Sequence, residues 1–329
     1  MALYEPKDSS QSPRFTGPRT FMRLPYKEEL DDNMDFVVTG IPFDTGASFR
    51  VGARFGPQAI RDFSILLRPF NVEQNTAIFD LVSGVDYGDL VVAPGYIKQS
   101  YERIVEQMLP IFNRGIIPIA MGGDHSITLA ELRAAAQVYG PLALIQFDAH
   151  SDTWDSYFGE KYMHGTPFKR AVEEEIIDPS ASIQIGIRGP LYDSTDLEVA
   201  RELGFAVYSS EELFELGVGQ MVDIIHERVK DRPVFVTFDI DFFDPVYAPG
   251  TGTPEVAGPS VRDGLHLIRG LKGLNIVGFD CVEVLPAFDP SQITAAAAAN
   301  VMYEMITLVA INRRLKADTA VQKQKQKAI

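Results

Sequence analysis

Three short stretches concentrate the residue types that do chemistry. They are Gly122-Gly123-Asp124-His125, Asp148-Ala149-His150-Ser151-Asp152 and Asp239-Ile240-Asp241, and each follows an apolar run. Side chains two apart in a strand share a face, so Asp148, His150 and Asp152 can converge, and Asp239 with Asp241 likewise. Four carboxylates and two imidazoles then crowd into one place. Partly buried like charges must take up protons or repel strongly. Two divalent cations remove the conflict, with carboxylates bridging them and an imidazole capping each. The nitrogen and oxygen donors, with no thiolate, suit Mn²⁺ first, then Ni²⁺, Co²⁺ or Zn²⁺.

The elements that must position these residues are a series of short apolar runs. Strands are expected over 35–40, 116–121, 142–147, 182–187, 205–208, 234–240 and 274–284. They are rich in Val, Ile and Phe without polar alternation, as in strands buried on both faces. Amphipathic helices are expected over 101–113, 128–138, 220–230 and 261–271, and a long final helix over about 291–315 contains the small residues Ala295 to Ala299. The alternation predicts an α/β fold, a single-domain three-layer α/β/α arrangement with a mostly parallel sheet. Ligands of such sheets bind beyond the carboxyl ends of the strands, where all three stretches fall. The expected division is an N-terminal arm (1–30) lying on the surface or on a neighbouring subunit, a catalytic domain (31–318) and a polar tail (319–329).

Composition narrows the partners. The chain has 329 residues, 46% of them hydrophobic, with 30 Lys+Arg against 45 Asp+Glu, a net charge of −15. Such a chain is a poor match for nucleic acid, whose binding needs phosphate neutralisation. The same field attracts small cations. The single cysteine, Cys281, excludes an internal disulfide framework. No apolar stretch is expected to reach the roughly 18 residues of a membrane span, and the polar start is no secretory signal, so a cytoplasmic protein without a membrane partner is expected.

The three stretches, extended through Ser126, Ser151 and Phe242-Phe243-Asp244-Pro245, resemble the metal motifs of the ureohydrolase (arginase/agmatinase) family. The similarity continues through Ala248-Pro249-Gly250-Thr251-Gly252-Thr253-Pro254, Gly40-Ile41-Pro42-Phe43-Asp44 and Gly52-Ala53-Arg54-Phe55-Gly56-Pro57. The resemblance implies that His125 and Asp152 end on one metal, His150 and Asp241 on the other, and Asp148 and Asp239 bridge both together with a hydroxide. It implies two divalent ions per subunit, Mn²⁺ or alternatively Ni²⁺, which lower the pKa of the shared water. It also implies a small cationic guanidinium substrate, cleaved to urea (or a substituted urea) and an amine. Glu283 would pair with the guanidinium through two hydrogen bonds, and His164 would deliver a proton to the departing amine. Asp124 and Asp244 either orient ligands or cap turns. His226 and His266 read as packing residues on helices, and Cys281 as core.

The substrate tail is less defined. Thr153-Trp154-Asp155 follows the second motif where arginases carry an asparagine that grips the amino-acid head. The segment resembles agmatinases and guanidino-acid hydrolases instead. Trp154 either stacks on the substrate or packs beneath its own loop, and Val51 stands where proline is common. Alternatives are a hydrolase of free guanidine or of N-alkylated guanidines or biguanides, possibly nickel-dependent, a silent structural subunit of a mixed oligomer, and more distantly a deacetylase-like amidohydrolase. A homotrimer or homohexamer is implied.

Overall fold

The computed structural model describes residues 2–193 and 195–327, with side chains to residue 318. Eight parallel strands form one sheet: β1 (Phe36–Ile41), β4 (Gly84–Asp89), β5 (Ile117–Gly122), β6 (Ala143–Phe147), β7 (Ile183–Ile187), β8 (Ala206–Ser209), β9 (Pro233–Asp239) and β10 (Asn275–Val282), in the order β4-β1-β5-β10-β9-β6-β7-β8. A separate two-stranded antiparallel ladder joins β2 (Phe70–Asn71) and β3 (Thr76–Ala77).

Alternate residues of each central strand feed two cores, one on each face. Phe36, Val38, Ile119, Met121, Ile145 and Phe147 face a core shared with α1 (Gly56–Ser64), α6 (Ser210–Val229), α7 (Val261–Gly270) and α8 (Ile293–Lys327). Val37, Ala120 and Leu144 face the other, with α2 (Ile97–Asn113), α3 (Thr128–Tyr139), α4 (Pro167–Glu173) and α5 (Asp196–Leu203). The expected three-layer α/β/α architecture is the observed one. Period-2 burial on both faces is why the strands read as unbroken apolar runs.

Chain order sets the location of the site. The chain leaves β5, skips two places to lay down β6, and returns later with β9 and β10 to fill the gap. The carboxyl ends of β5, β10, β9 and β6 therefore lie side by side, at the point where strand order reverses.

Several elements differ from expectation, each for a local reason. β4 escapes a hydropathy reading because its sequence, GVDYGD, is short and polar; its Asp86 is buried against Arg61. α6 begins ten residues early, at a capping box between Ser209 and Glu212, and kinks at Gly217, whose φ of 77° interrupts the amphipathic pattern. α8 runs on to Lys327, beyond the expected end near 315. Of the expected polar tail, residues 319–327 continue this helix, their side chains and residues 328–329 lying outside the described set. The expectation about apolar stretches needs correction: Pro290–Asp318 is long and apolar enough to cross a membrane, but its apolar window is 78% buried in the fold. Its alanines explain the close fit, since Ala295, Ala298 and Ala299 are wholly buried.

The arm is not loose on its own chain. Phe21, Met22 and Leu24 are buried in the first core. Phe21 N–H donates to Asp86 Oδ2 at 2.6 Å and Met22 N–H to Ser64 Oγ at 2.8 Å, so the core starts before residue 30. Arg61 pairs with Asp86 through Nε (2.8 Å) and with Asp89 through Nη1 (2.6 Å), joining α1, β4 and the arm. Removing one partner of a buried pair leaves the other charge uncompensated. Asp86→Ala is expected to cost about 3–5 kcal/mol in urea unfolding; a loss below ~1 kcal/mol would show that the pair does not hold the arm.

Candidate metal centre

The six motif residues arrive together at the carboxyl edge of the sheet. His125 opens the 3-10 turn after β5, Asp148 follows β6, and Asp239 ends β9. The motif loops are held by their own carboxylates. Asp148 Oδ1 accepts from His150 N–H (2.7 Å), Asp239 Oδ1 from Asp241 N–H (2.9 Å), and Asp241 Oδ1 from Ala149 N–H (3.1 Å). Asp148 and Asp239 thus each fold their own loop with one oxygen, and Asp241 ties its loop to the one after β6. Asp152 (φ 52°) and Glu283 (φ 61°) sit in the left-handed region, which non-glycine residues occupy at a cost and which clusters at functional sites.

Two acid-and-imidazole groups share Asp148: His125 with Asp148 and Asp239, and His150 with Asp148 and Asp241. His125 Nδ1 lies 2.9 Å from Asp152 Oδ2, 3.1 Å from Asp148 Oδ2 and 3.3 Å from Asp239 Oδ2. His150 Nδ1 lies 3.1 Å from Asp241 Oδ2 and 3.6 Å from Asp148 Oδ1.

The proton on His125 is placed by what stands behind it. Its Nε2 is 2.8 Å from Thr237 Oγ1, and Thr237 donates its own hydroxyl to Asp280 Oδ1 at 2.6 Å. Thr237 is left only lone pairs for His125, so Nε2 carries one hydrogen and Nδ1 is the position open to a second proton or a cation. Nδ1 is fully buried, has no hydrogen-bond partner, and faces three carboxylate oxygens. Lone pairs pointed at one another in a dry site require positive charge between them, either a proton or a metal ion. The donor set of imidazole nitrogens and carboxylates fits a divalent cation in each group.

The electrostatics carry the same demand. Burial, then Asp241 and Asp148, push the Asp239 carboxyl well above the usual range. Burial opposes ionisation of Asp148 too, yet His125 and His150 outweigh it and hold that carboxyl low. Burial and Asp148 raise Asp152 to about 6. Both imidazoles are raised well above their ordinary value, because their carboxylate neighbours outweigh burial.

Beyond the ligand cluster, Glu283 and His164 meet. Glu283 Oε1 accepts from His125 N–H (3.0 Å) and pairs with His164 Nδ1 (2.9 Å), whereas Oε2 is buried without a partner. Ser48 N–H, which can only donate, lies 3.0 Å from His164 Nε2, so the ring hydrogen sits on Nδ1 and points at Glu283. Asp124 and Asp244 act as turn caps. Asp124 accepts from Ser126 N–H (3.1 Å) and, through its other oxygen, from Gly46 N–H (2.7 Å), while Asp244 accepts from Val246 and Gly258 N–H. His226 packs by bonding the Gly270 carbonyl (2.8 Å), and Cys281 is buried core.

A cavity of about 430 Å³ opens onto His150, Asp152, Asp239 and His164. Its wall carries Trp154, Tyr157 and Tyr192, with ring centroids 4.4 and 5.4 Å from Trp154. Trp154 therefore both stacks within its own loop and lines the cavity. Ser48 and Phe49 reach the cavity from the neighbouring loop, and Val51 of that loop is exposed. Arg188 is the guanidinium among the described lining residues, but its Nε, Nη1 and Nη2 are occupied by backbone carbonyls, including Val256 O (3.1 Å), Phe242 O (3.1 Å) and Asp241 O (2.7 Å).

Sequence reasoning missed the row beneath the cluster. Asp280, Thr237, Gln146 and Gln184 lie in register on β10, β9, β6 and β7. Gln146 donates to Asp148 Oδ2 (2.7 Å), and Gln184 donates to Gln146 Oε1 (2.6 Å). The signal was present as one polar residue inside each apolar run, since buried polar groups need partners.

Fold and cluster together define an α/β protein with imidazoles and carboxylates arranged to hold cations at the carboxyl edge of its sheet. Comparison with known proteins supplies the family. The Arginase family profile matches residues 34–307. The chain is 40% identical to guanidinobutyrase of Pseudomonas aeruginosa over 310 residues, 93% of this chain and 97% of the relative. It is 43% identical to the mitochondrial agmatinase of Gallus gallus over 296 residues, covering 90% and 87%. Among solved structures, proclavaminate amidinohydrolase of Streptomyces clavuligerus superposes with a TM-score of 0.87 at 43% identity, covering 92% of this chain and 100% of that one. The chain belongs to the arginase family. It is an amidinohydrolase, a hydrolase of C–N bonds in amidines.

The proton demand of the cluster fixes a pH dependence. Without metal, the folded state keeps protons on Asp152 (about 6) and Asp124 (raised to about 7, mainly by burial and Glu283) that unfolded aspartates release near pH 4. His125 and His150 likewise hold protons that unfolded histidines lose near pH 6.5. The folded state binds more protons throughout this interval, so stability falls as pH rises. The melting temperature of metal-free protein is expected to drop between about pH 5 and pH 7.5, and added Mn²⁺ to restore it most at the higher pH. A metal-free melting temperature that rises over this interval would contradict the assignment.

Proposed function

We propose that the chain hydrolyses a small guanidinium compound to urea, or a substituted urea, and an amine at a centre of two divalent cations, Mn²⁺ first and Ni²⁺ as the alternative. The observation that carries the reading is the buried Nδ1 of His125 aimed at three carboxylates. His125, Asp148, Asp152 and Asp239 would hold one ion, and His150, Asp148, Asp239 and Asp241 the other. When bound, such a pair supplies Lewis acidity and a water acidic enough to attack at neutral pH.

The protein's own groups do the rest. Glu283 Oε2, the buried oxygen without a donor, accepts from a guanidinium N–H, while Oε1 stays committed to His125 N–H and His164. Pairing therefore centres on Oε2, since Oε1 already serves two donors. Burial works against protonation of His164, but Glu283 outweighs it and lifts the imidazole to about 9. Below that value the ring holds a second proton, on Nε2 once Ser48 moves off it, and that proton passes to the departing nitrogen. The aromatic wall stacks well on a cationic or alkyl tail. With Arg188 spent on carbonyls and Glu255 at the rim, the cavity favours an amine or alkyl tail over a carboxylate. A homotrimer or homohexamer in the cytoplasm completes the reading; sedimentation as a monomer would count against the assembly.

Urea release from agmatine, arginine, guanidinobutyrate, guanidinopropionate, guanidine and dimethylbiguanide, after loading with Mn²⁺ or Ni²⁺, tests the reaction. Agmatine or an alkylated guanidine is expected to exceed both guanidino acids in kcat/KM. Urea from none of the panel would overturn the reading. Asp148→Asn and Asp239→Asn are expected to lose metal and turnover together. His164→Asn is expected to keep its metal and lose about 10²–10⁴ in kcat, and an unchanged kcat would remove the proton-transfer role.

A further inference from the structure

Behind His125 lie two acids that the hydrolytic reaction does not use. Asp280 sits in register with Thr237 on the neighbouring strand and is fully buried. It accepts the Thr237 hydroxyl on Oδ1 and the Thr128 hydroxyl on Oδ2, both at 2.6 Å. Glu131 comes from α3, three residues after Thr128 and on the same side of that helix. It is also fully buried, and neither of its carboxyl oxygens has a donor.

A carboxylate stripped of water and of every donor does not keep its charge. Burial, and after it the neighbouring Asp280, drive the Glu131 carboxyl well above its ordinary value. Glu131 is therefore a carboxylic acid with an O–H to donate. Asp280 is the acceptor that faces it; burial raises the Asp280 carboxyl as well, while His125 and hydrogen bonds from Thr128, Thr237 and Glu131 favour its ionised form.

We propose that Glu131, by donating to Asp280, sets the direction of the hydrogen-bond chain Glu131–Asp280–Thr237–His125 and so keeps the Nδ1 lone pair of His125 free for a cation. Asp280 receives three hydroxyl hydrogens and has none to give. Thr237 must then spend its hydrogen on Asp280, and its oxygen receives Nε2–H of His125. If Asp280 held the shared proton instead, its O–H could turn to Thr237. The threonine hydroxyl would then swing onto Nε2, and the imidazole proton would move to Nδ1, among the three carboxylates. The chain in that direction obstructs the metal site. Glu131 is thus a positioning residue that acts through two intermediaries and touches no ligand of the site.

The inference rests on the cation reading of the His125 cluster, and the experiment separates the two. Mn²⁺ affinity is measured by competition with a chelating indicator for wild type, Glu131→Gln and Glu131→Leu. The glutamine amide still donates to Asp280, so its affinity is expected to match wild type. Leucine fills the space but donates nothing, and a loss of about 10–100-fold is expected. Infrared spectra of wild type should show the carbonyl stretch of a buried protonated carboxylic acid that is missing from Glu131→Gln; this comparison stands even if the leucine variant does not fold. Wild-type affinity in Glu131→Leu, or no such band in wild type, overturns the proposal. Wild-type protein that binds no Mn²⁺ overturns the cation reading itself.

Discussion

Unpaired negative charge at one edge of an apolar sheet is the constraint on which the rest depends. Asp148, Asp152, Asp239 and Asp241 converge there with only two imidazoles between them. Full ionisation in so dry a place costs more than the fold can supply, so the site exists only as a receptor for positive charge. Without a cation, protons satisfy it, which is why the imidazoles and most of the carboxyls here are raised. Divalent cations would satisfy it and would bring chemical reactivity with them.

The scaffold meets this constraint with rigidity rather than solvent. Asp148 and Asp239 each use one oxygen to cap their own loop, and Asp241 uses one to tie the loop after β9 to the loop after β6, which fixes the direction of the others. Beneath them the polar row from Asp280 to Gln184 runs across four adjacent strands and fixes the cluster from below. Hydrogen bonds in that row have definite direction because threonine and carboxylate can each play only certain roles. That direction reaches His125 as a choice of tautomer. Buried polar groups are costly unless satisfied, and in this sheet they hold the ligands to one geometry.

The cavity above the cluster shows a second division of labour. Its floor is ionic and its wall aromatic, so the reacting end of a substrate and its tail meet different physics. Arg188 belongs to the scaffold: its guanidinium ties the β7 loop to the loops after β9 through backbone carbonyls. Glu283 lies buried beside the cluster, bonded to His125 and His164 on one oxygen and without a partner on the other. A strained backbone at Glu283 and Asp152 is tolerated where it aims a functional side chain.

Much of this was written in the sequence, because strand periodicity and residue type are local properties. Apolar runs ending in His125, Asp148 and Asp239 predicted a parallel sheet with its ligands at the carboxyl edge, and the family motifs lay in those same segments. Elements with mixed signals were not legible. β4 hides its buried Asp86 in a polar sequence, and the first turns of α6 depend on a capping box and a glycine kink. Pairing partners were also beyond reach: Thr237 and Asp280 are 43 residues apart and become neighbours only when β9 and β10 align in register. Glu131 looks like an ordinary helical glutamate until α3 buries it against the sheet. Residue types and spacing determined which groups could bind cations; tertiary packing alone decided which of them are dry, which hold protons, and which way each hydrogen bond points, because those depend on burial and on partners distant in the chain.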